Sequence, residues 1–177
     1  VANINRENEN SLTFDTANEI FVYDPDTGYI TNKVRRSSTA YEGDRAGRID
    51  SKGYLRIRVK DRTFRAHRLA WWLFYGEWPA YSIDHINRDR SDNRICNLRS
   101  ASRVENQGNS KLNSNNTSGY KGVTYDGKRW RSYISIENKT KLLGVFDTKE
   151  QAAEAYAAAA RLHFGEFANP AKSDAVP

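Results

Sequence analysis

The sequence predicts an α+β chain of two small modules, and three observations predict it. Residues 19–106 combine short strand patterns with one strongly apolar helix. From Gly119, three strand patterns separated by tight-turn signals lead into one alanine-rich helix. Between them, residues 107–118 are polar with almost nothing to bury, which reads as a flexible linker. A polar N-terminal tail (residues 1–18) precedes the first module, the second spans residues 119–170, and residues 171–177 form a C-terminal tail.

Composition narrows the class of partner. A chain of 177 residues has room for one ordinary domain or two small ones. Its net charge of +6, its pI of about 9.4 and its 12% aromatic content suit a nucleic-acid partner. Cys96 is the only cysteine, which excludes a disulfide framework and a cysteine-based metal cluster; it is expected to be buried filler. No run approaches the ~20 apolar residues of a membrane span, and no signal-peptide pattern opens the chain. No membrane partner is therefore expected, and the setting is expected to be cytoplasmic.

In the first module, Phe21-Val22-Tyr23, then Asp24 to Gly28, then Tyr29-Ile30-Thr31 reads as strand, turn, strand, with Pro25 at the first corner and Gly28 at the exit. The basic stretch 33–48 reads as a loop whose Arg35, Arg36, Arg45 and Arg48 are either phosphate contacts or solvated. Residues 54–59 alternate with period two, sending Leu55, Ile57 and Val59 to the core and leaving Tyr54, Arg56 and Arg58 as a small basic ribbon. A turn at 60–62 and a return strand follow. Leu69, Trp71, Trp72, Leu73 and Phe74 then form a buried helix that Gly76 and Pro79 end. His67, at its start, is read as structural or phosphate-contacting, and Arg68 as a packed cation.

The chemistry sits in the next stretch. Ser82-Ile83-Asp84-His85-Ile86-Asn87 places an Asp-His pair in a short apolar-flanked strand. A polar loop follows, then Arg94-Ile95-Cys96-Asn97-Leu98-Arg99. Ser102 and Glu105 then have capping-box spacing, so a helix begins there and carries Asn106. Hydrolysis of a phosphodiester needs a cation on an already anionic phosphate, a base for the attacking water and help for the leaving oxygen. Asp84 and the carbonyl oxygen of Asn106 supply two donors of the kind Mg²⁺ takes while keeping positions for water and phosphate. His85 points to the opposite strand face from Asp84, where it meets water. With an ordinary pKa near ~6.5 it is available as general base. Asn97 is expected to orient the ring. Asp89, Asp92 and Asn93 are either loop caps or extra ligands.

In the second module, residues 119–125, 130–136 and 142–146 read as strands, with Asp126-Gly127 and residues 137–139 as turns. Thr148 and Gln151 cap a helix in which Ala152, Ala155, Tyr156, Ala159 and Leu162 repeat at helical spacing until Gly165. Small side chains let that helix lie close to the sheet, and the opposite sheet face stays free.

From Tyr23-Asp24-Pro25-Asp26-Thr27-Gly28 through Gly53-Tyr54-Leu55, His67-Arg68-Leu69-Ala70-Trp71, Gly76-Glu77-Trp78-Pro79, Asp84-His85-Ile86-Asn87, Asp92-Asn93-Arg94 and Asn97-Leu98-Arg99 to Glu105-Asn106, the chain resembles the HNH homing endonucleases of phages and introns. The resemblance implies a ββα-metal nuclease fold in which Asp84 and Asn106 hold the ion, His85 is the base and Asn97 is the middle asparagine. One Mg²⁺ or Mn²⁺ per site is implied. Zinc is not expected, because the paired cysteines and the additional histidines that some relatives carry are missing.

Residues 119–170 resemble the AP2 DNA-binding domain, through Gly119-Tyr120-Lys121-Gly122-Val123, the Trp130 strand, Leu143-Gly144-Val145-Phe146, Thr148 to Ala153, Ala155-Tyr156 and Phe167-Ala168-Asn169-Pro170. That family lays a three-stranded antiparallel sheet in the major groove. Here Arg131, Tyr133 and Ser135 would face duplex DNA, with Lys121, Thr124, Lys128 and Arg129 nearby, and Arg56 and Arg58 would add contacts from the first module. Together the two resemblances imply a phage- or mobile-element-encoded endonuclease acting on double-stranded DNA. A monomer is expected, which nicks, whereas cutting both strands needs a dimer or a second turnover. Two alternatives stand beside this reading: a non-catalytic, sequence-specific DNA-binding regulator, and a basic RNA-binding protein.

Overall fold

The computed structural model describes residues 6–170 and divides into two compact units, the first ending at Ala101 and the second beginning at Ser102. The sequence reading set the boundary at residue 106. The capped helix that follows Ser102 therefore belongs to the second unit.

The first unit opens with two short helices, α1 (Arg6–Glu9) and α2 (Phe14–Ile20). The hairpin β1 (Phe21–Tyr23) and β2 (Ile30–Asn32) follows, with Phe21 facing Asn32 and Tyr23 facing Ile30. The loop after it leads to a three-stranded antiparallel sheet of β3 (Arg48–Ile49), β4 (Leu55–Val59) and β5 (Arg62–Arg65) in that order. Ile57 and Val59 are buried from β4 while Arg58 is exposed, as the period-two pattern predicts. Helix α3 (Ala66–Tyr75) buries Ala66, Leu69, Ala70 and Trp72. It stops at Gly76, whose left-handed φ of 79° lets its N–H bond back to the Trp72 carbonyl. The indole of Trp72 stacks on Trp78 at 4.2 Å. A second hairpin, β6 (Ser82–His85) and β7 (Leu98–Ala101), closes the unit.

The expected N-terminal tail is, from Arg6 on, part of this packed unit. Thr13 caps α2, Leu12 and Ala17 join the core, and Glu9 is buried against Arg68 of α3. The Arg68 guanidinium donates to both Glu9 carboxylate oxygens and to the carbonyls of Tyr81 and Pro79. Three separate pieces of chain thus meet at one fork-shaped cation. The sequence pattern missed this because a single carboxylate in a stretch rich in Asn and Glu leaves no periodic trace.

The second unit contains α4 (Arg103–Gly108), the antiparallel strands β8 (Val123–Tyr125), β9 (Trp130–Ile136) and β10 (Lys139–Phe146), and helix α5 (Lys149–Phe164). The central strand is β9. Its Ser132 and Ile134 are fully buried, and α5 buries Ala152, Tyr156, Ala160 and Phe164. Both predicted capping boxes, Ser102 with Glu105 and Thr148 with Gln151, form. The expected linker is held rather than loose. The Lys121 ammonium donates to the Gln107, Gly108 and Ser110 carbonyls, Asn116 bonds to Tyr120 and Gly119, and the Asn169 N–H reaches the Gly108 carbonyl.

Removing the carboxylate of Glu9 leaves a buried guanidinium without its anion. Glu9→Ala should destabilise the first unit by about 3–5 kcal/mol, and Arg68→Met added to it should cost less than the sum of the two single changes in denaturant titrations.

Candidate active site

The β6–β7 hairpin sets Asp84 directly opposite Arg99 and His85 opposite Leu98. Cross-strand pairing therefore brings a carboxylate and a guanidinium together. Nε and Nη2 of Arg99 both lie 2.9 Å from Oδ2 of Asp84. A carboxylate so placed is held in one orientation, with oxygen donors of the sort a hard divalent cation takes.

The connection between the strands is a lattice of side-chain amides and carboxylates. Asn97 accepts the Asn87 N–H at 2.9 Å and donates to the Asp92 carbonyl at 2.8 Å. Asn87 donates to the Asp92 carboxylate and accepts the Asp89 N–H, Asp89 accepts from Ser91, and Asp92 takes the Arg94 N–H and guanidinium. Asp89 and Asp92 are loop caps, the plainer of their two sequence readings. The guanidinium of Arg94, with neighbouring N–H donors, holds the Asp92 carboxyl down at about 2.

His85 departs from expectation in two ways. Its orienting partner is Asn93, with Oδ1 3.3 Å from Nε2, while Asn97 spends its amide on the loop backbone. The Asn93 amide nitrogen donates to the Ser91 carbonyl, which turns Oδ1 to the ring. That arrangement calls for a proton on Nε2 and leaves the lone pair to Nδ1. Second, the ring does not stand at water: His85 is 4% exposed and Asn93 1%. Aromatic rings stand beside it along with its buried cross-strand neighbour Leu98. His67 meets it edge-on at 5.0 Å and Tyr54 lies 6.1 Å away.

Burial lowers the pKa of His85, against smaller raising effects from Asn93 and Asp84, and lowers that of His67 well below the usual range. Both rings are therefore neutral at pH 7. His67, 3% exposed, has a buried Nδ1 without a hydrogen-bond partner. Sequence reasoning missed Asn93 and Tyr54. The signals available were an amide eight residues after His85 and a tyrosine whose alternation sends it away from the aliphatic face.

The hairpin β1–β2 braces this loop. Tyr23 donates its hydroxyl to the Asn93 carbonyl at 2.8 Å, and the Ile95 N–H reaches the Pro25 carbonyl. Gly28 presses so closely that a Cβ there would come within 2.4 Å of the Arg94 nitrogen.

The remaining predicted residues fall elsewhere. Asn106 stands on α4 in the second unit. Among the described residues, no group of three or more His, Cys, Asp or Glu gathers as a metal cluster. Cys96 is exposed, contrary to expectation, because its 3₁₀ turn (Ile95–Asn97) points Asn97 inward instead. Arg56 pairs with Asp50 at 2.6 Å, and Arg58 donates to the Lys60 carbonyl. Both line a cleft of about 1250 Å³ in the first unit, with Arg35, Arg36, Arg45 and Arg48.

In the second unit Lys121 is not presented to a ligand; its ammonium caps the end of α4. Thr124, Lys128 and Arg129 are exposed, and Arg129 pairs with Asp147. Arg131 pairs with Asp126, and Ser135 bonds to Thr140 across the strands. Register places Thr124 beside Arg131 and Val145, and Tyr133 beside Leu142, on the sheet face away from buried Ser132 and Ile134. No helix among the described residues is long and apolar enough to cross a membrane.

Comparison with known proteins places this geometry. A family model described as HNH endonuclease matches residues 64–107. Protein 3.8 of Escherichia phage T7 is 36% identical over 107 residues, covering 59% of this chain and 88% of that protein. A solved structure described as DNA binding and cleavage by the HNH homing endonuclease I-HmuI aligns over 81% of this chain and 80% of that one, at 20% identity and a TM-score of 0.41.

Two predictions follow from the loop. Gly28→Ala should lower the melting temperature well beyond Gly43→Ala, since both have a left-handed φ but only Gly28 faces backbone within 4 Å. For Asp92, a folded-state value of about 2 against an ordinary 3.8 means its stabilisation is complete above about pH 4 and fades as pH falls through 2. The stability gap between wild type and Asp92→Asn, followed by thermal melts, should close over that window.

Proposed function

Because the chain carries an HNH endonuclease domain and belongs to one family with protein 3.8 of Escherichia phage T7, we propose that it is a metal-dependent DNA endonuclease of the HNH homing type. The observation that carries this reading is the β6–β7 hairpin, which presents Asp84 and an imidazole of fixed tautomer from adjacent positions within the matched residues.

Asp84 would hold a Mg²⁺ or Mn²⁺ ion through its carboxylate oxygens; Asn106, the second ligand that the sequence resemblance implies, stands in the second unit. When bound, that ion supplies charge stabilisation at the scissile phosphate. The chain's own part begins with Arg99, which fixes the rotamer of Asp84. Asn93 keeps the Nε2 proton in place, so that Nδ1 of His85 would take the proton of the attacking water once the buried ring is opened to it. Asn97 keeps the loop that carries Asn93 closed on the hairpin. The second unit, read as an AP2-like module, would bind the duplex through Arg131, Tyr133, Thr124, Lys128, Arg129 and Ser135, while Arg56 and Arg58 contact phosphates from the first. Lys121 drops out of the binding set. The protein would act inside the host cell of a phage or mobile element.

A second reading is favoured by two specific observations, the burial of His85 and the pairing of Asp84 with Arg99. It is a DNA-binding protein of the same family without cleavage. Supercoiled DNA incubated with and without Mg²⁺ or Mn²⁺ separates the two. Metal-dependent nicking is expected from the wild-type chain. His85→Ala should slow it by about 10²–10⁴-fold with duplex affinity nearly unchanged, and Asp84→Ala should remove the metal response along with activity. Wild-type protein that binds duplex yet leaves it intact with either ion would establish the binding-only reading.

A further inference from the structure

Six arginines of the described chain, Arg56, Arg68, Arg94, Arg99, Arg129 and Arg131, are matched by carboxylates. Two others are arranged differently. Arg65, at the end of β5, and Arg90, in the loop between β6 and β7, place their guanidinium carbons 4.9 and 4.8 Å from the centre of one ring, that of Tyr54. Both residues are exposed, and among the described residues neither forms an ion pair.

We propose that Arg65 and Arg90, seated on Tyr54, form a clamp for one backbone phosphate of the nucleic acid beside His85. Two cations on one ring sit within about 10 Å of each other, so an anion that reaches both meets two positive charges at once. The ring's negative face attracts each guanidinium. Each guanidinium has an N–H edge for hydrogen bonding, and that edge matches two phosphate oxygens. Arg90 is steadied further by donating to the Lys52 carbonyl at 2.8 Å. The same Tyr54 ring lies 6.1 Å from His85 and 5.4 Å from His67, so one ring links the clamp to the proposed base. This clamp is separate from the Arg56 and Arg58 contacts, and the ligand group it takes is a phosphodiester.

The test uses the full chain with Arg65→Gln, Arg90→Gln, the double variant, and Arg65→Lys with Arg90→Lys. Affinity for a duplex oligonucleotide is measured against salt without divalent metal. Each Gln change should reduce the slope of log affinity against log salt by about one, and the double change by about two. Cleavage at saturating DNA with Mg²⁺ should fall about 10²-fold for each Gln variant. The Lys pair should keep the slope but not the rate, because charge survives and the planar fork does not.

The rate measurement rests on the nuclease reading, whereas the slope does not. Wild-type protein that fails to cut overturns that reading and leaves the clamp to be decided by the slope alone. Unchanged slope in a double Gln variant that melts like wild type overturns the clamp. If the Gln variants fail to fold, the Lys pair decides through its rate: a folded Lys pair that cuts as fast as wild type at saturating DNA overturns the clamp, and a loss of about 10²-fold supports it.

Discussion

The carboxamide of Asn97 is the constraint on which the candidate site depends. One side chain accepts a backbone N–H from near the start of the β6–β7 connection and donates to the Asp92 carbonyl at its middle, and so ties the two halves of that connection together. A loop this rich in Asp, Asn and Arg would otherwise be solvated and variable in shape. Closed in this way, it delivers Asn93 to the His85 ring. The cost of burying an amide is met because both of its ends are used. Asn97 thus acts one step away from the ring, through the backbone, and Asn93 makes the contact.

Burial gives the site a definite electrostatic character. Two imidazoles packed edge-on cannot both be charged in so dry a place, and both are held neutral. Asp84 sits beside a fixed guanidinium, that of Arg99 across the hairpin, whose two nitrogens both meet its Oδ2. On the metal-dependent reading proposed above, an ion at Asp84 would share the carboxylate with that guanidinium, so its affinity would depend on the β6–β7 register as well as on the ligand.

Much of this was legible in the sequence, for identifiable reasons. The strands from Leu55 to Val59 and from Trp130 to Ile136, the stop at Gly76 and the capping boxes at Ser102 and Thr148 are encoded by period, turn chemistry and local hydrogen bonding, and all are present. The place of Asp84 and His85 on one short strand was legible because an apolar-flanked run encodes it. What could not be read was the choice among equivalent amides. Asn87, Asn93 and Asn97 look alike in a polar loop, and only the folded path decides which one meets the ring. Long-range pairs such as Glu9 with Arg68 were invisible for the same reason, as was the capture of Lys121 by carbonyls of a segment that resembled a linker.

A last regularity connects composition with purpose. In the first unit Arg35 lies over Tyr41, Arg36 over Phe21, Arg45 over Tyr29, and Arg65 and Arg90 over Tyr54. A free arginine side chain loses about 2 kcal/mol of rotamer freedom when it is fixed on a ligand. One already resting on an aromatic face has lost part of that freedom during folding, so less remains to be lost on binding. Lysine would gain less from the same ring, since its compact ammonium is more strongly hydrated. On the DNA-binding reading proposed above, the joint abundance of Arg and aromatic residues would be a structural device, a set of cations fixed in place before a polyanion arrives, and not merely a positive net charge.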